Sequence, residues 1–550
     1  MDTWLLKMKY GKKLVLFSLF IMNLVDEPAP EVTIEQGILS GKTSRCGTFF
    51  EYTGIPYAKS DNNTRFQAPG PPPSWNGVYR AVEDFHMCPQ NTLFGILGTE
   101  DCQKINIYVP ASLKNEKPRA VMVYIYGGAF LFGSGGKIIY GPRFIVRKDV
   151  ILVTFNYRLA LLGFLCLGTK EVPGNAGIKD QLAALRWVKK NIAAFGGDPD
   201  NITVFGQSAG AVSLSFLVAS EATNGLFKRA IIQSGSSVSN WSINRKPIWI
   251  ASLLAKTIGH NTEDPNKLYD IFSKMDYKDL IALKAKKPTG MFYDTGLLQL
   301  PCVENFIPGV EPVITDLSYN IFSNKTKDID IMIGTASNEG IFLAPTESEE
   351  ILHSRNGRYL FASDLQFPSE REAMTVAKKV HKFYFGDDLI SSKKIHNVSN
   401  LYSQLYFEMP AILETEYRLI RSKSNVYNYI FNYQGSRNLL KLTSGYWYED
   451  GATHGDELFY LFDGDLFPMV FGDDDRKMVD QMTTLWTNFA KYGNPTPETS
   501  DLPFRWKPSE KDNLKFLYID RESKMGPMRS PQDYRLWKDI YSKYRNAHVT

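Results

Sequence analysis

Short apolar runs alternate with segments of helical periodicity along this chain. Ala120-Val-Met-Val-Tyr-Ile-Tyr126 is continuously hydrophobic and stops at Gly127-Gly128, the pattern of a strand buried on both faces. Val150 to Phe155 repeats it, Ile202 to Phe205 and Arg229 to Gln233 follow, and Ile329 to Ile333 supplies a late strand. Between them, Lys179 to Phe195 carries Leu182, Leu185, Val188 and Ile192 at helical spacing and ends at Gly196-Gly197. A second helix is predicted over Ser208 to Ala219. Strands and helices at such short intervals require crossover connections, which predicts an α/β protein with a mostly parallel central sheet covered by helices. Residues 245–325 are richer in charged and helix-forming residues and are expected to form a helical insertion along one wall. No repeat, low-complexity tract or long linker divides the chain, so a single domain is expected over 30–545.

The N-terminus departs from this pattern. Lys7, Lys9, Lys12 and Lys13 precede an apolar stretch from Leu14 to Val25, broken only by Ser18 and Asn23. A basic lead before about 12 apolar residues fits a secretory signal and falls short of the roughly 20 that a spanning helix needs. A signal peptide over 1–25 and a secreted protein without a stable membrane span are expected. An uncleaved anchor or a buried helix is the alternative, because no small-x-small cleavage site follows. Sequons at Asn62, Asn201, Asn240, Asn324 and Asn397 are compatible with a glycoprotein, although several arise by chance at this length.

Composition changes the picture little. Hydrophobic residues make up 43% and charged residues 22%, enough to bury a large core. Lys and Arg number 63 against 59 Asp and Glu, and the two signs are interleaved, which argues against a nucleic-acid partner. Five cysteines leave at least one thiol unpaired and show no CxxC or zinc spacing. Cys166 and Cys302 lie in apolar runs and read as small buried hydrophobes.

The chemistry gathers at Gly206-Gln207-Ser208-Ala209-Gly210, which directly follows a predicted strand and opens a predicted helix. That context gives a G-x-S-x-G match its meaning: a sharp turn lifts the serine hydroxyl above the sheet, and the glycines let strand and helix approach. The helix N-terminus also favours negative charge there. A serine needs a base. Among seven histidines, the serine–acid–histidine order and local context leave His454, in Gly451-Ala-Thr-His-Gly-Asp-Glu457, with an ordinary loop histidine as the alternative reading. The acid must lie between them on a loop after a strand. Glu339, in Gly334-Thr-Ala-Ser-Asn-Glu-Gly340, meets that requirement, and on pattern alone neighbouring acidic residues stay open. Small residues in Gly127-Gly128-Ala129-Phe130 leave backbone N–H groups free to join that of Ala209 in an oxyanion hole.

At these motifs the chain resembles the type-B carboxylesterase/cholinesterase family of α/β hydrolases. The likeness runs from Gly54-Ile-Pro-Tyr-Ala58 through Arg65-Phe66, Glu100-Asp-Cys102, Asn156-Tyr-Arg158, Gly174-Asn-Ala-Gly177 and Phe195-Gly-Gly-Asp-Pro199 to Trp486-Thr-Asn-Phe-Ala-Lys-Tyr-Gly-Asn-Pro495. The resemblance implies an α/β-hydrolase fold with helical insertions forming a gorge, and a serine esterase with a Ser208–Glu339–His454 triad acting through an acyl-enzyme. It implies an oxyanion hole from Gly128, Ala129 and Ala209, and a supporting role for Ser236 beside the acid. It implies ion pairs Arg65–Glu100 and Arg158–Asp180 and a Cys88–Cys102 disulfide. Trp241 matches a residue on the family's acyl side, and Tyr126 and Phe130, flanking the hole, are assigned to the same pocket. No metal or other cofactor is implied, and the expected partner is a small apolar ester. Departures bear on substrate. Tyr126-Gly-Gly-Ala129 stands where many members have His-Gly-Gly-Gly, and the Cys88–Cys102 loop is short and lacks Trp, which argues against choline esters. Gln207, where Glu is commoner, together with Arg65-Phe66, Asp180-Gln181 and the Gly-x-x-His-x-x-Glu run from Gly451 to Glu457, is similar to insect juvenile hormone esterases, and pheromone-, odorant- or xenobiotic-degrading insect carboxylesterases share most of these features. An inactive adhesion or binding protein on the same fold is the alternative of another class.

Overall fold

The computed structural model describes residues 27–60, 64–112, 117–285, 299–356, 362, 364–465 and 472–545. The expected signal peptide over 1–25 and the sequon at Asn62 lie outside the described residues. An eleven-stranded sheet forms the centre. In chain order its strands are β1 (Lys42–Thr43), β2 (Phe49–Pro56), β3 (Lys104–Pro110), β4 (Arg119–Ile125), β5 (Ile151–Phe155), β6 (Gly197–Gln207), β7 (Arg229–Gln233), β8 (Asp330–Ala336), β9 (Val426–Phe431), β10 (Phe516–Ile519) and β11 (Lys524–Gly526). In space they run β11-β10-β9-β8-β7-β6-β4-β5-β3-β2-β1. From β5 to β10 every pairing is parallel, and antiparallel strands finish both edges.

The apolar runs read from the sequence are the strands at the middle of this sheet. Val121 to Ile125, Ile151 to Val153 and Ala230 to Ile232 are all buried, as continuous hydrophobic strands between two helical layers must be. The predicted helices are α1 (Ala176–Asn191), ending in a 3₁₀ turn at Ile192–Phe195, and α2 (Ala209–Ala219), which buries nearly every side chain. The 245–325 insertion begins with α3 (Pro247–Lys256), α4 (Pro265–Ser273) and α5 (Tyr277–Ala282), whose Leu254, Leu268, Phe272 and Leu280 form an apolar cluster apart from the main core. Later in the chain come α6 (Met409–Arg421) and α7 (Asp473–Tyr492).

Two disulfides are present. Cys88–Cys102 closes the short loop as expected. Cys166 and Cys302, read above as buried hydrophobes, form the second bond and tie the insertion to the segment after β5. Their burial among apolar neighbours is real, and it disguises a crosslink across 136 residues of sequence. Cys46 is the free, exposed thiol. Both ion pairs exist: Arg65 Nη2 lies 2.6 Å from Glu100, and Arg158 grips Asp180 through Nη2 at 2.6 Å and Nε at 2.8 Å. Asn324 is exposed and Asn397 half-buried. Asn240 is only 4% exposed, so the folded protein has no room for a glycan there.

Candidate active site

Ser208 sits between β6 and α2 with φ 56° and ψ −125°, a left-handed turn that side chains rarely adopt and that costs about 1–3 kcal/mol. Close packing holds it. Its N–H donates to the carbonyl of Gln233 at the end of β7 (2.9 Å), and its carbonyl accepts the N–H of Val212. A Cβ on Gly210 would stand 2.0 Å from the Ile125 carbonyl, and one on Gly206 would stand 2.6 Å from that of Gly210. The glycines flanking the serine are therefore steric necessities of a strand–helix contact with no gap.

The turn after β4 lies against this elbow, where a Cβ on Gly127 would come within 2.9 Å of Ser208 Cβ. Gly128, Ala129 and Phe130 all have positive φ, at 118°, 55° and 63°. The Gly128 carbonyl turns back to accept the N–H groups of Leu131 and Phe132, and a Cβ on Gly128 would overlap the Phe132 carbonyl. Ala209 opens α2, whose aligned peptide dipoles put positive charge at that end.

Glu339 and His454 meet on loops beyond the C-terminal ends of β8 and β9, the edge where parallel sheets collect their chemistry. Glu339 is fully buried. Its Oε2 lies 2.6 Å from His454 Nδ1, and its Oε1 accepts the Ser234 hydroxyl (2.5 Å) and the Ala336 N–H (2.7 Å). Further bonds stitch the two loops: Asn338 N–H to the Ala452 carbonyl, Ala452 N–H to Ser337 Oγ, and Thr453 Oγ1 to the Glu339 carbonyl. With Nδ1–H facing a carboxylate, the neutral imidazole presents Nε2 as an acceptor, and the Gln207 carboxamide reaches it at 3.2 Å. The carboxyls that follow the histidine are different in character. Burial pushes Asp456 up to about 6, against its N–H donors. Burial, reinforced by the charge of Glu339, pushes Glu457 up to about 8.

The serine beside the acid is Ser234, not Ser236. Ser236 Oγ donates 2.5 Å to Glu414 on α6, a carboxylate that also takes Ser215 Oγ and the Arg418 guanidinium. Ser234 has φ 51° at the end of β7, and this kink turns its side chain to Glu339 while the one two residues on turns away.

Aromatic rings enclose the histidine. Phe342 stacks on His454 with centroids 5.7 Å apart, and Phe407 approaches to 4.7 Å. The Trp241 ring stands 6.0 Å from Phe407. Phe407 is carried by a π-helical turn, Ser403–Glu408, just before α6. Pro410 explains the turn: without an N–H it cannot satisfy the Tyr406 carbonyl four residues back. That carbonyl accepts Trp241 Nε1 instead (3.0 Å) and Ser239 Oγ (3.4 Å). Sequence reasoning missed Phe342 and Phe407; a proline in an otherwise helical pattern was the available signal. Tyr126 and Phe130, assigned to the pocket, are fully buried. Tyr126 stacks on Tyr157 at 4.4 Å with its hydroxyl on the Tyr157 carbonyl, and Phe130 packs edge-on against Phe164. Among the described residues no cluster of three His, Cys, Asp or Glu side chains could hold a metal, and no helix is long and apolar enough to cross a membrane.

Known proteins resemble this chain over nearly its whole length. The carboxylesterase family model matches residues 28–537. Esterase FE4 of Myzus persicae is 32% identical over 522 residues, covering 90% of each chain. Juvenile hormone esterase of Heliothis virescens is 32% identical over 503 residues, covering 85% of this chain and 86% of that one. The crystal structure of juvenile hormone esterase from Manduca sexta, with OTFP covalently attached, superposes with a TM-score of 0.83 at 30% identity, over 94% of this chain and 100% of that chain. The chain belongs to the carboxylesterase family: it is an α/β hydrolase, and a carboxylic-ester hydrolase.

Proposed function

We propose that Ser208, Glu339 and His454 are the catalytic triad, and that the substrate is a small, uncharged, apolar ester. The observation that carries this reading is the 2.6 Å bond between buried Glu339 and His454 Nδ1, beside a serine in a strained elbow. His454 Nε2 takes the Ser208 proton as the oxygen attacks the ester carbonyl. The backbone N–H groups of Gly128, Ala129 and Ala209 receive the oxyanion, each contributing on the order of 100- to 1000-fold in rate. The alcohol leaves with a proton from His454, and water then hydrolyses the acyl-enzyme by the same path.

Phe342 and Phe407 flank the histidine and Trp241 packs beyond Phe407, aromatic surfaces that suit an apolar acyl or alcohol group. The juvenile hormone esterases among the relatives make a juvenile hormone one ester to include in a substrate panel. The basic, apolar leader and the two disulfides fit export to an oxidising compartment. Ser208→Ala tests the assignment: hydrolysis of p-nitrophenyl acetate and the mass increase on organophosphate labelling should both disappear. Substantial hydrolysis by that variant would overturn the triad.

A further inference from the structure

Within the disulfide loop, Gln90–Thr92 and Gly95–Leu97 pair as an antiparallel hairpin whose two-residue tip is Leu93-Phe94. Leu93 is 100% exposed and Phe94 89%. Large apolar side chains so fully in water are unusual for a tip whose base is so firmly fixed. Cys88–Cys102 closes the base, and Asn91 Nδ2 donates to the Ile281 carbonyl of α5. The Gln90 carboxamide clamps Gly133 from both sides, accepting its N–H at 2.8 Å and donating to its carbonyl at 2.9 Å. Gly133 ends the turn that begins at Gly127-Gly128, and its neighbour Phe132 is itself exposed. The tip is thus a rigid apolar projection joined to the oxyanion side of the site.

We propose that the Leu93-Phe94 tip docks this enzyme on a neutral lipid surface. Two features select that occupant. From Gln90 to Thr99 no residue is charged, so nothing there favours an anionic or cationic partner. The area is also too small for a second copy of the chain: two or three side chains offer a few hundred Å² at most, against about 800 Å² per partner in a stable protein interface. A lipid surface needs no complementary face, only depth for a leucine and a phenylalanine. Docked in this way, the enzyme holds the Gly127–Gly133 turn next to the phase in which apolar esters concentrate.

Flotation of the full-length protein with ether-linked phosphatidylcholine vesicles tests this without turnover, so it succeeds or fails independently of the Ser208 assignment. Wild type should bind, and Leu93→Ser/Phe94→Ser should bind at least about 100-fold more weakly, as burial of two such side chains implies. Leu389→Ser, which removes an exposed leucine elsewhere on the surface, should bind as wild type does. All three should hydrolyse p-nitrophenyl acetate equally, which verifies folding. In a second measurement, Phe94→Trp should gain fluorescence that brominated lipid quenches. Absence of vesicle binding by wild type, equal binding by the double variant, or a concentration-dependent dimer that the double variant abolishes would each overturn the proposal.

Discussion

Ser234 and Ser236 are chemically identical, two residues apart and both fully buried, yet only one touches the acid. Ser234→Ala deletes one of three bonds to the Glu339 carboxylate and leaves those from Ala336 N–H and His454. A hydrogen bond to a charged group contributes about 1.5–3 kcal/mol. If the loss falls on the alignment of Glu339, and hence of the imidazole in the transition state, kcat should drop between about 10- and 150-fold. KM should stay near wild type, because Ser234 is fully buried and bonds the Glu339 oxygen that does not meet His454. Ser236→Ala instead strips a donor from Glu414, which Ser215 and Arg418 still hold. It should lower the melting temperature while kcat remains within about twofold. The assay is steady-state hydrolysis of p-nitrophenyl butyrate alongside thermal melts of both variants. Equal kcat losses in the two variants, or an unchanged kcat in Ser234→Ala, would refute the reasoning.

Three further outcomes are expected. Gly210→Ala forces a methyl onto the Ile125 carbonyl and should cost about 3 kcal/mol or more, seen as poor soluble yield and lost activity. Cys166→Ser/Cys302→Ser frees a loop spanning 136 residues and should lower unfolding free energy by about 5 kcal/mol in urea titrations. Glu457 holds its proton in the folded state up to about pH 8, whereas the unfolded chain releases it near 4.5, so this residue costs native stability as pH rises between those values. By pH 7 that cost is about 3 kcal/mol at most, and Glu457→Gln should therefore melt higher than wild type at pH 8 but not at pH 4.5.

The middle of the sheet was legible because strands buried on both faces cannot hide their composition: Arg229 to Gln233 coincides with β7, and Ala120 to Tyr126 is offset from β4 by one residue. Six strands were not foreseen: β1, β10 and β11 are too short to show a pattern, and β2, β3 and β9 interrupt their buried apolar residues with polar ones such as Glu51, Asn106 and Asn428. Ser208 was legible from its neighbours, since Gly206 and Gly210 are required by contacts the motif implies. Ser234 was not, because its selection over Ser236 depends on a single backbone angle. Cys166 and Cys302 were misread for a related reason: a half-cystine in a core has the neighbours of any hydrophobe, and pairing is a property of the fold alone. Phe407 lies in a helical pattern, and its placement goes with the neighbouring Tyr406 carbonyl, which Pro410 cannot bond and which Trp241 and Ser239 take instead.

The site draws on three loops from distant parts of the chain, and their order of synthesis has a consequence. The elbow with Ser208 is made first, the loop with Glu339 later, and His454 only when most of the chain exists. On the proposed triad, until β8, β9 and their loops have joined the sheet the serine has neither base nor acid and is chemically an ordinary alcohol. Ester turnover therefore doubles as a report on complete folding: a nascent chain, a fragment ending before His454 or a molecule with a misplaced C-terminal half should be silent, however native its first 220 residues are.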